Sequence, residues 1–459
     1  MAADTVLIVG GGLSGLTTAF YLGKAGIRCT IIEKAGRLGG LIKTDHIEGC
    51  DLEAGAESFI STKPAMAQLA EDLGGGMEER IIGSNDAGRR IFVVRHGTLT
   101  PMPTAMSMMV PSKWGPALRS PLLSASAKFT LLRETFMQPR TRVGDFSVGE
   151  LVGDHFGAEM LETITEPLLV GVYGGDSASL SARSVLPRFV DFEERYGSLI
   201  KGVRQTAKQA PQEGSLFRSF QGGMQTLIDA LAHRVQEHSS VINHEATNVE
   251  RAEVGWRVRF GGQSISSKHV VLACPAWAAA KLLGGAAPAA AAELAAIPYS
   301  SAILTMLVFN KAELGHPLNG FGFLVPHKEQ QTIAAATWVN TKFPSRVAPG
   351  LAALRGFIVG RKAEEMAQAS ETQIAGAVQH DFERLMGIKA APVLQTVYKW
   401  PRSMPQYVVG HAARVVRLHE SMLPLKGLAL TGNYFDGVGM PDSIRCAKEA
   451  AKQIASSIV

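Results

Sequence analysis

Four consecutive apolar residues, Val6 to Val9, open the patterned part of the chain. An uninterrupted apolar run suits a strand buried on both faces of a parallel sheet. From Ser14 to Lys24 the apolar positions move to helical spacing, at Leu16, Ala19, Phe20 and Leu22. A second buried strand is predicted at Cys29 to Ile32, followed by Glu33. Arg89 to Arg95 alternates as a strand, with His96-Gly97 as its turn. Residues 100–210 read as mostly helical. Pro103, Pro111, Pro116 and Pro121 cut its first part into short apolar helices, and longer helices are expected over 124–137 and 147–169. A helix at 226–237 and strands near 240–242, 246–252, 256–260, 264–267 and 269–275 follow. A further strand set is predicted at 301–309, 322–325, 332–339, 353–359 and 393–400, with an amphipathic helix at 370–386. The buried-strand pattern returns at 427–433, ahead of the glycine loop 437–441 and a closing helix.

Chemistry concentrates where the first strand meets the first helix. Gly10, Gly12 and Gly15 carry the G-x-G-x-x-G spacing, with Leu13 and Ser14 between them. Gly10 permits the tight turn, Gly12 lets a pyrophosphate approach the backbone, and Gly15 lets the helix pack close to the strand. Glu33 stands near the distance expected of the carboxylate that binds an adenosine ribose. Strand, glycines, helix, strand and acid in this order predict a dinucleotide site. Lys34, Arg37, Gly39 and Gly40 then form a flexible loop suited to lie along a long cofactor, with Arg37 near its phosphates. Gly55, Ala56, Glu57 and Ser58 form a short loop whose backbone can approach a ligand. Near the other end, Gly432, Asn433, Gly437, Val438, Gly439 and Met440 form a second strand–loop–helix element. FAD needs two such elements, because its ring accumulates negative charge that a second helix N-terminus stabilises; NAD does not.

Length changes the picture by requiring more than one core: 459 residues predict two or three domains. The expected partition is a discontinuous nucleotide domain (1–85, 211–285, 418–459), a substrate domain (86–100, 286–417) and a helical subdomain (101–210). A net charge of +5, with no Lys/Arg block, argues against nucleic acid and favours an anionic substrate or membrane surface. Cys29, Cys50, Cys274 and Cys446 are too scattered for a zinc site or a disulfide framework, so no metal is expected. No signal peptide precedes the first strand, and no apolar stretch reaches transmembrane length. The expected location is cytoplasmic.

These motifs resemble the FAD-dependent amine-oxidase-like superfamily. Within it the chain is similar to the oxygen-dependent protoporphyrinogen oxidase family, through Arg90-Ile-Phe-Val-Val, Glu166-Pro-Leu-Leu-Val-Gly171-Val-Tyr-Gly-Gly175, Gly320-Phe-Gly-Phe-Leu324, Lys342-Phe343-Pro-Ser-Arg and Pro405-Gln-Tyr-Val-Val-Gly-His411. The resemblance implies an α/β plus α+β fold: a Rossmann-like FAD domain, an inserted mixed-sheet substrate domain and a mostly helical subdomain, a candidate for membrane association. It implies non-covalent FAD, a porphyrinogen substrate and oxygen as electron acceptor. Carried over by motif, Arg90 holds a substrate propionate, Gly171 lies against the macrocycle beside Leu169 and Tyr173, and Leu324 and Phe343 sandwich the rings. Val249 and Trp400 join the cofactor residues. Strand alternation puts Arg90 on the face of Phe92 and Val94. The family's usual Asp after the C-terminal glycine is Asn433 here, which still hydrogen-bonds a hydroxyl. Coproporphyrinogen is the alternative substrate; extra cations near the slot favour it, and Arg89, Arg95 and Lys342 are available. Other flavin oxidases, which act on amines or polyenes, and a non-catalytic protein-binding relative are rival readings. Tyr434-Phe435 offers only a poor version of an amine oxidase's aromatic pair, and intact glycine loops argue against the non-catalytic rival. Residues 101–137, rich in Met and Leu with Trp114 and flanking cations, suit a peripheral membrane segment or a buried helical core. A homodimer is a further expectation.

Overall fold

A computed structural model describes residues 5–207 and 214–458. The expected boundary at 210/211 lies outside the described residues. Five strands, all parallel, form the nucleotide sheet in the order Ser240–Asn243, Cys29–Glu33, Val6–Val9, Val270–Leu272, Leu428–Leu430. The apolar run at its centre is buried on both sides. Val6 and Ile8 pack with the helices Leu13–Lys24, Gln225–Gln236 and Met440–Ile458. Leu7 and Val9 pack on the opposite side with Ala276–Leu283, Pro288–Ala295 and the antiparallel sheet Ala246–Arg251, Trp256–Phe260, Gln263–Ser267.

A second sheet has seven strands, in the order Leu394–Pro405, Tyr299–Asn310, Leu351–Val359, Ala335–Trp338, Gly322–Leu324, Ile91–Arg95, Thr98–Pro101. Its strands are antiparallel except that Ile91–Arg95 runs parallel to Gly322–Leu324. One face packs Leu307, Phe309, Phe323, Trp338 and Ile358 against the helix Glu371–Met386. The other face looks into a cavity.

Residues 114–207 are mainly helical, around a core of Leu151, Phe156, Phe189 and Ile200. Three expectations change here. The segment 101–126 contributes a strand pair, Met106–Ser107 with Val110–Pro111, and one helix, Trp114–Arg119, because its prolines leave too few backbone donors for more. The helix expected over 147–169 is interrupted at Gly157, whose φ of 79° is left-handed, and passes through a π-turn at Leu161–Thr165 before Glu166–Tyr173. The strand expected over 332–339 ends at Trp338, where a single helical turn, Val339–Lys342, takes over.

Candidate functional site

The cavity has a volume of about 1300 Å³ and runs from the first glycine turn to the seven-stranded sheet. That exceeds the roughly 300–1,000 Å³ typical of one small ligand. At the nucleotide end, Gly10, Gly12, Leu13 and Ser14 line it. Gly15 does not; it packs the helix onto the turn so closely that a Cβ would lie 1.9 Å from the Gly10 carbonyl oxygen. Gly12 and the loop after Glu33 touch backbone to backbone. Gly39 N–H donates to Gly11 O at 2.8 Å, and a Cβ on Gly40 would sit 3.0 Å from Gly12 Cα. Only glycines leave room there for a pyrophosphate. Glu33 accepts hydrogen bonds from Gly11 N–H (2.6 Å) and Ala35 N–H (2.8 Å), which aims its carboxylate into the cavity with acceptor capacity to spare. This cradle fits the ADP half of FAD.

Lys34, Arg37, Gly39 and Gly40 also line the cavity. The Arg37 guanidinium is committed to its own loop, donating to the carbonyls of Leu38, Gly40 and Ile42. It shapes the loop as well as charging it. Val249 does not reach the cavity. Its strand turns it into the core behind, and Ala246 and Thr247 line the wall instead. Farther along, Gly55, Ala56, Glu57 and Ser58 face in, and Trp400 donates to Ala54 O at 2.6 Å. At the C-terminal element Gly432, Asn433, Val438 and Met440 line the wall, close to the start of the helix Met440–Ile458. Gly437 and Gly439 lie behind them, packed on Asp442, which pairs with Lys63 at 2.6 Å.

Strand register builds the far end. Leu304 pairs with Phe357, Phe357 with Ala335, and Ala335 with Leu324, so one apolar row crosses four strands and faces the cavity. The helix Glu166–Tyr173 lies opposite and contributes Leu168, Gly171, Val172 and Tyr173. A Cβ added to Gly171 would meet no atom within 4 Å, so this position borders open space. Burial pushes the Tyr173 hydroxyl up to about 12, which keeps it neutral. Leu169 points away, into the helical core.

Two expectations about this end are corrected. Phe343 is buried outside the cavity, under the Arg346 guanidinium, because the helical turn Val339–Lys342 carries it off the sheet, with its N–H donating to Val339 O at 2.8 Å. Phe357 faces the cavity instead, in the same row as Leu324, so the two share one wall and do not sandwich a ring. Arg90 precedes the strand, which starts at Ile91, and is exposed. The face of Phe92 and Val94 turns into the core, and Ile91 lines the cavity. Sequence reasoning also missed Leu304 and Arg355. The alternation of Arg355, Phe357 and Val359 along a predicted strand carried the signal for the second.

The cavity lining includes Lys34, Lys43, Lys281, Lys342, Lys399, Arg37, Arg355 and Arg402 against Glu33, Glu57 and Glu245. Of the three cations noted in the sequence as available to a substrate, Lys342 lines it; Arg89 and Arg95 do not. Residues 13–455 match the model of the flavin containing amine oxidoreductases. The chain belongs to the flavin-containing amine oxidoreductase family. It is 31% identical over 467 residues to the coproporphyrinogen III oxidase of Bacillus subtilis strain 168, covering 97% of this chain and 96% of that one. It is 27% identical to protoporphyrinogen oxidase 2 of Arabidopsis thaliana, over 99% and 94% of the two chains. A crystal structure from Exiguobacterium sp. 255-15, described as a candidate protoporphyrinogen oxidase, superposes with a TM-score of 0.89 at 27% identity over 99% of each chain. Membership makes this an FAD-dependent oxidoreductase. Tyr434 and Phe435 are both buried away from the cavity, so the aromatic pair of an amine oxidase is absent from those positions.

Proposed function

We propose that the chain is an FAD-dependent porphyrinogen oxidase. In this reading it removes six hydrogens from the macrocycle in three two-electron steps, and three molecules of oxygen become hydrogen peroxide. One observation carries it. The apolar row Leu304–Phe357–Ala335–Leu324 faces a helix with open space at Gly171, in the same cavity as the nucleotide cradle. A flat apolar disc fits between the two walls. When bound, FAD supplies the hydride acceptor and passes the electrons to oxygen. The chain's own residues position the ring and exclude water, and Tyr173 stays a neutral hydroxyl beside it. Arg90, at the solvent end of Ile91, holds a propionate that projects from the slot.

Protoporphyrinogen IX is the substrate in the reading drawn from the motifs. Lys342 and Arg355, which line the cavity away from the glycine turn, favour coproporphyrinogen III, which carries two further carboxylates. Aerobic turnover of both porphyrinogens, followed by porphyrin fluorescence on the yellow protein, tests the proposal. Failure to turn over either one would sink it.

Among the described residues no helix is long and apolar enough to cross a membrane. The helix Ala125–Glu134 buries Ala127 and Leu131 but leaves Phe129 69% and Leu132 43% exposed, with Phe136 just beyond it 78% exposed. Arg133 lies on the same outer side. This stripe supports peripheral contact with an anionic bilayer on the cytoplasmic side. Flotation with anionic liposomes at low salt tests it, and Phe129→Ser with Phe136→Ser should abolish flotation.

A further inference from the structure

The second row of the sheet floor has a different character from the apolar one. Ile91 pairs with Gly322, Gly322 with Thr337, and Thr337 with Arg355, and all four line the cavity. Arg355 is 2% exposed. One of its Nη atoms lies 3.3 Å from Glu57 and the other donates to Gly55 O, while its Nε has no partner. Lys342 donates to the same Glu57 and lies 3.4 Å from Ser58 Oγ. Arg346 pairs with Glu53 at 2.9 Å. Burial pushes the Glu57 carboxyl up, but Lys342 and Arg355 outweigh that and hold it at about 2. Two carboxylates therefore face three cations. Burial raises the Glu53 carboxyl, so any protonation there leaves the group more positive still.

A buried charge in surplus is costly unless an anion compensates it. We propose that Arg355, assisted by Lys342, is a carboxylate-binding subsite on the inner edge of the slot. Arg90 adjoins Ile91, at the opposite end of the same row. Three interstrand steps separate Ile91 from Arg355, about 14 Å at about 4.8 Å per step. A disc with carboxylates on one edge satisfies one end of the row. Both ends are satisfied by a disc with carboxylates on opposite edges, so the substrate is a porphyrinogen with a propionate on every pyrrole. This inference rests on the porphyrinogen oxidase reading.

The test compares binding of coproporphyrin III and its uncharged tetramethyl ester to the FAD-loaded protein, by fluorescence. The wild type should prefer the acid. Arg355→Met should lose that preference about tenfold or more with ester binding unchanged. Arg355→Lys should recover part of it, since it keeps the charge without the fork. Glu57→Gln removes the internal competitor and should tighten acid binding, whereas a merely structural role predicts weaker binding. An unchanged acid-to-ester ratio in Arg355→Met overturns the subsite. So does a shifted flavin midpoint potential with an unchanged ratio, because the cation would then serve the cofactor. If the wild type binds neither porphyrin, the functional reading itself fails.

Discussion

Two networks of charge, each with a buried centre, sit in this molecule, and they are built to different rules. In the helical region, His155 bridges Glu134 (2.9 Å) and Glu193 (3.1 Å) with all three side chains out of water. Glu193 also takes hydrogen bonds from Arg140 (2.7 Å) and Arg142 (2.8 Å), and both arginines reach Asp154. Glu134 accepts from Ser198 Oγ and Leu199 N–H. With His155 protonated, three carboxylates meet three cations, and no buried atom of these residues lacks a partner. The network on the cavity wall has a cation to spare and orphan nitrogens on Arg346 and Arg355. A saturated network holds helices together. An unsaturated one that faces a cavity waits for a ligand.

The largest effect that separates the two comes from Glu193→Ala. It removes the carboxylate that Arg140, Arg142 and His155 share, leaving them Asp154 and Glu134, and should lower stability by about 1.5–3 kcal/mol in denaturant melts. A loss under 1 kcal/mol would mean that the helical network is not structural. Arg90→Ala comes next. The residue is exposed and joins neither network, so its melt should match wild type while KM for the porphyrinogen rises about tenfold, the lower end for a charge-assisted hydrogen bond. Unchanged KM and kcat would remove Arg90 from the site.

The pH dependence of stability should also divide the networks. Burial lowers the His155 value, but the hydrogen bonds it donates to Glu134 and Glu193 and the charges of those carboxylates outweigh it, so the net shift is upward. Its contribution is complete below the unfolded value, about 6.5, and is lost as pH rises through the raised folded value. Glu57 shifts the other way. Its contribution is complete above its unfolded value, about 4.3, and is lost as pH falls towards about 2. His155→Gln should flatten the alkaline limb of a stability–pH curve, and Glu57→Gln the acid limb. Both variants flattening the same limb would contradict the contrast. The smallest effect is expected at Gly171→Ala. Nothing lies within 4 Å of the new methyl, so the helix should gain about 0.5–1 kcal/mol. Porphyrin affinity should fall at the same time, and a more stable variant with unchanged affinity would show that the ring does not pass there.

The nucleotide cradle was legible because its determinants are local. Gly10 to Gly15 and Glu33 sit in one βαβ unit, and spacing alone states which backbone must be bare. The substrate floor was not. Leu304, Leu324, Ala335 and Phe357 share a row only through strand pairings between segments tens of residues apart, and no local pattern records a partner strand. Strand starts matter as much. Arg90 was assigned to a face that turns into the core, because the ladder begins one residue later. Phe343 failed for another reason: it was placed by its motif, and nothing in the polar run Asn340-Thr341-Lys342 announced the helical turn that carries it off the sheet.

The order of the nucleotide sheet has a consequence for synthesis. The strand Val270–Leu272 lies between Val6–Val9 and Leu428–Leu430. Until residue 430 has left the ribosome, that strand is a bare apolar edge. At about 5–20 residues per second, the interval between emergence of the second-last and last strands of this sheet is on the order of 10–30 s. An open edge of Val and Leu is a template for pairing with another chain. Cells that make this protein must therefore shield a half-built sheet, and a chain cut just before Gly427 should accumulate in aggregates rather than as a smaller soluble flavoprotein.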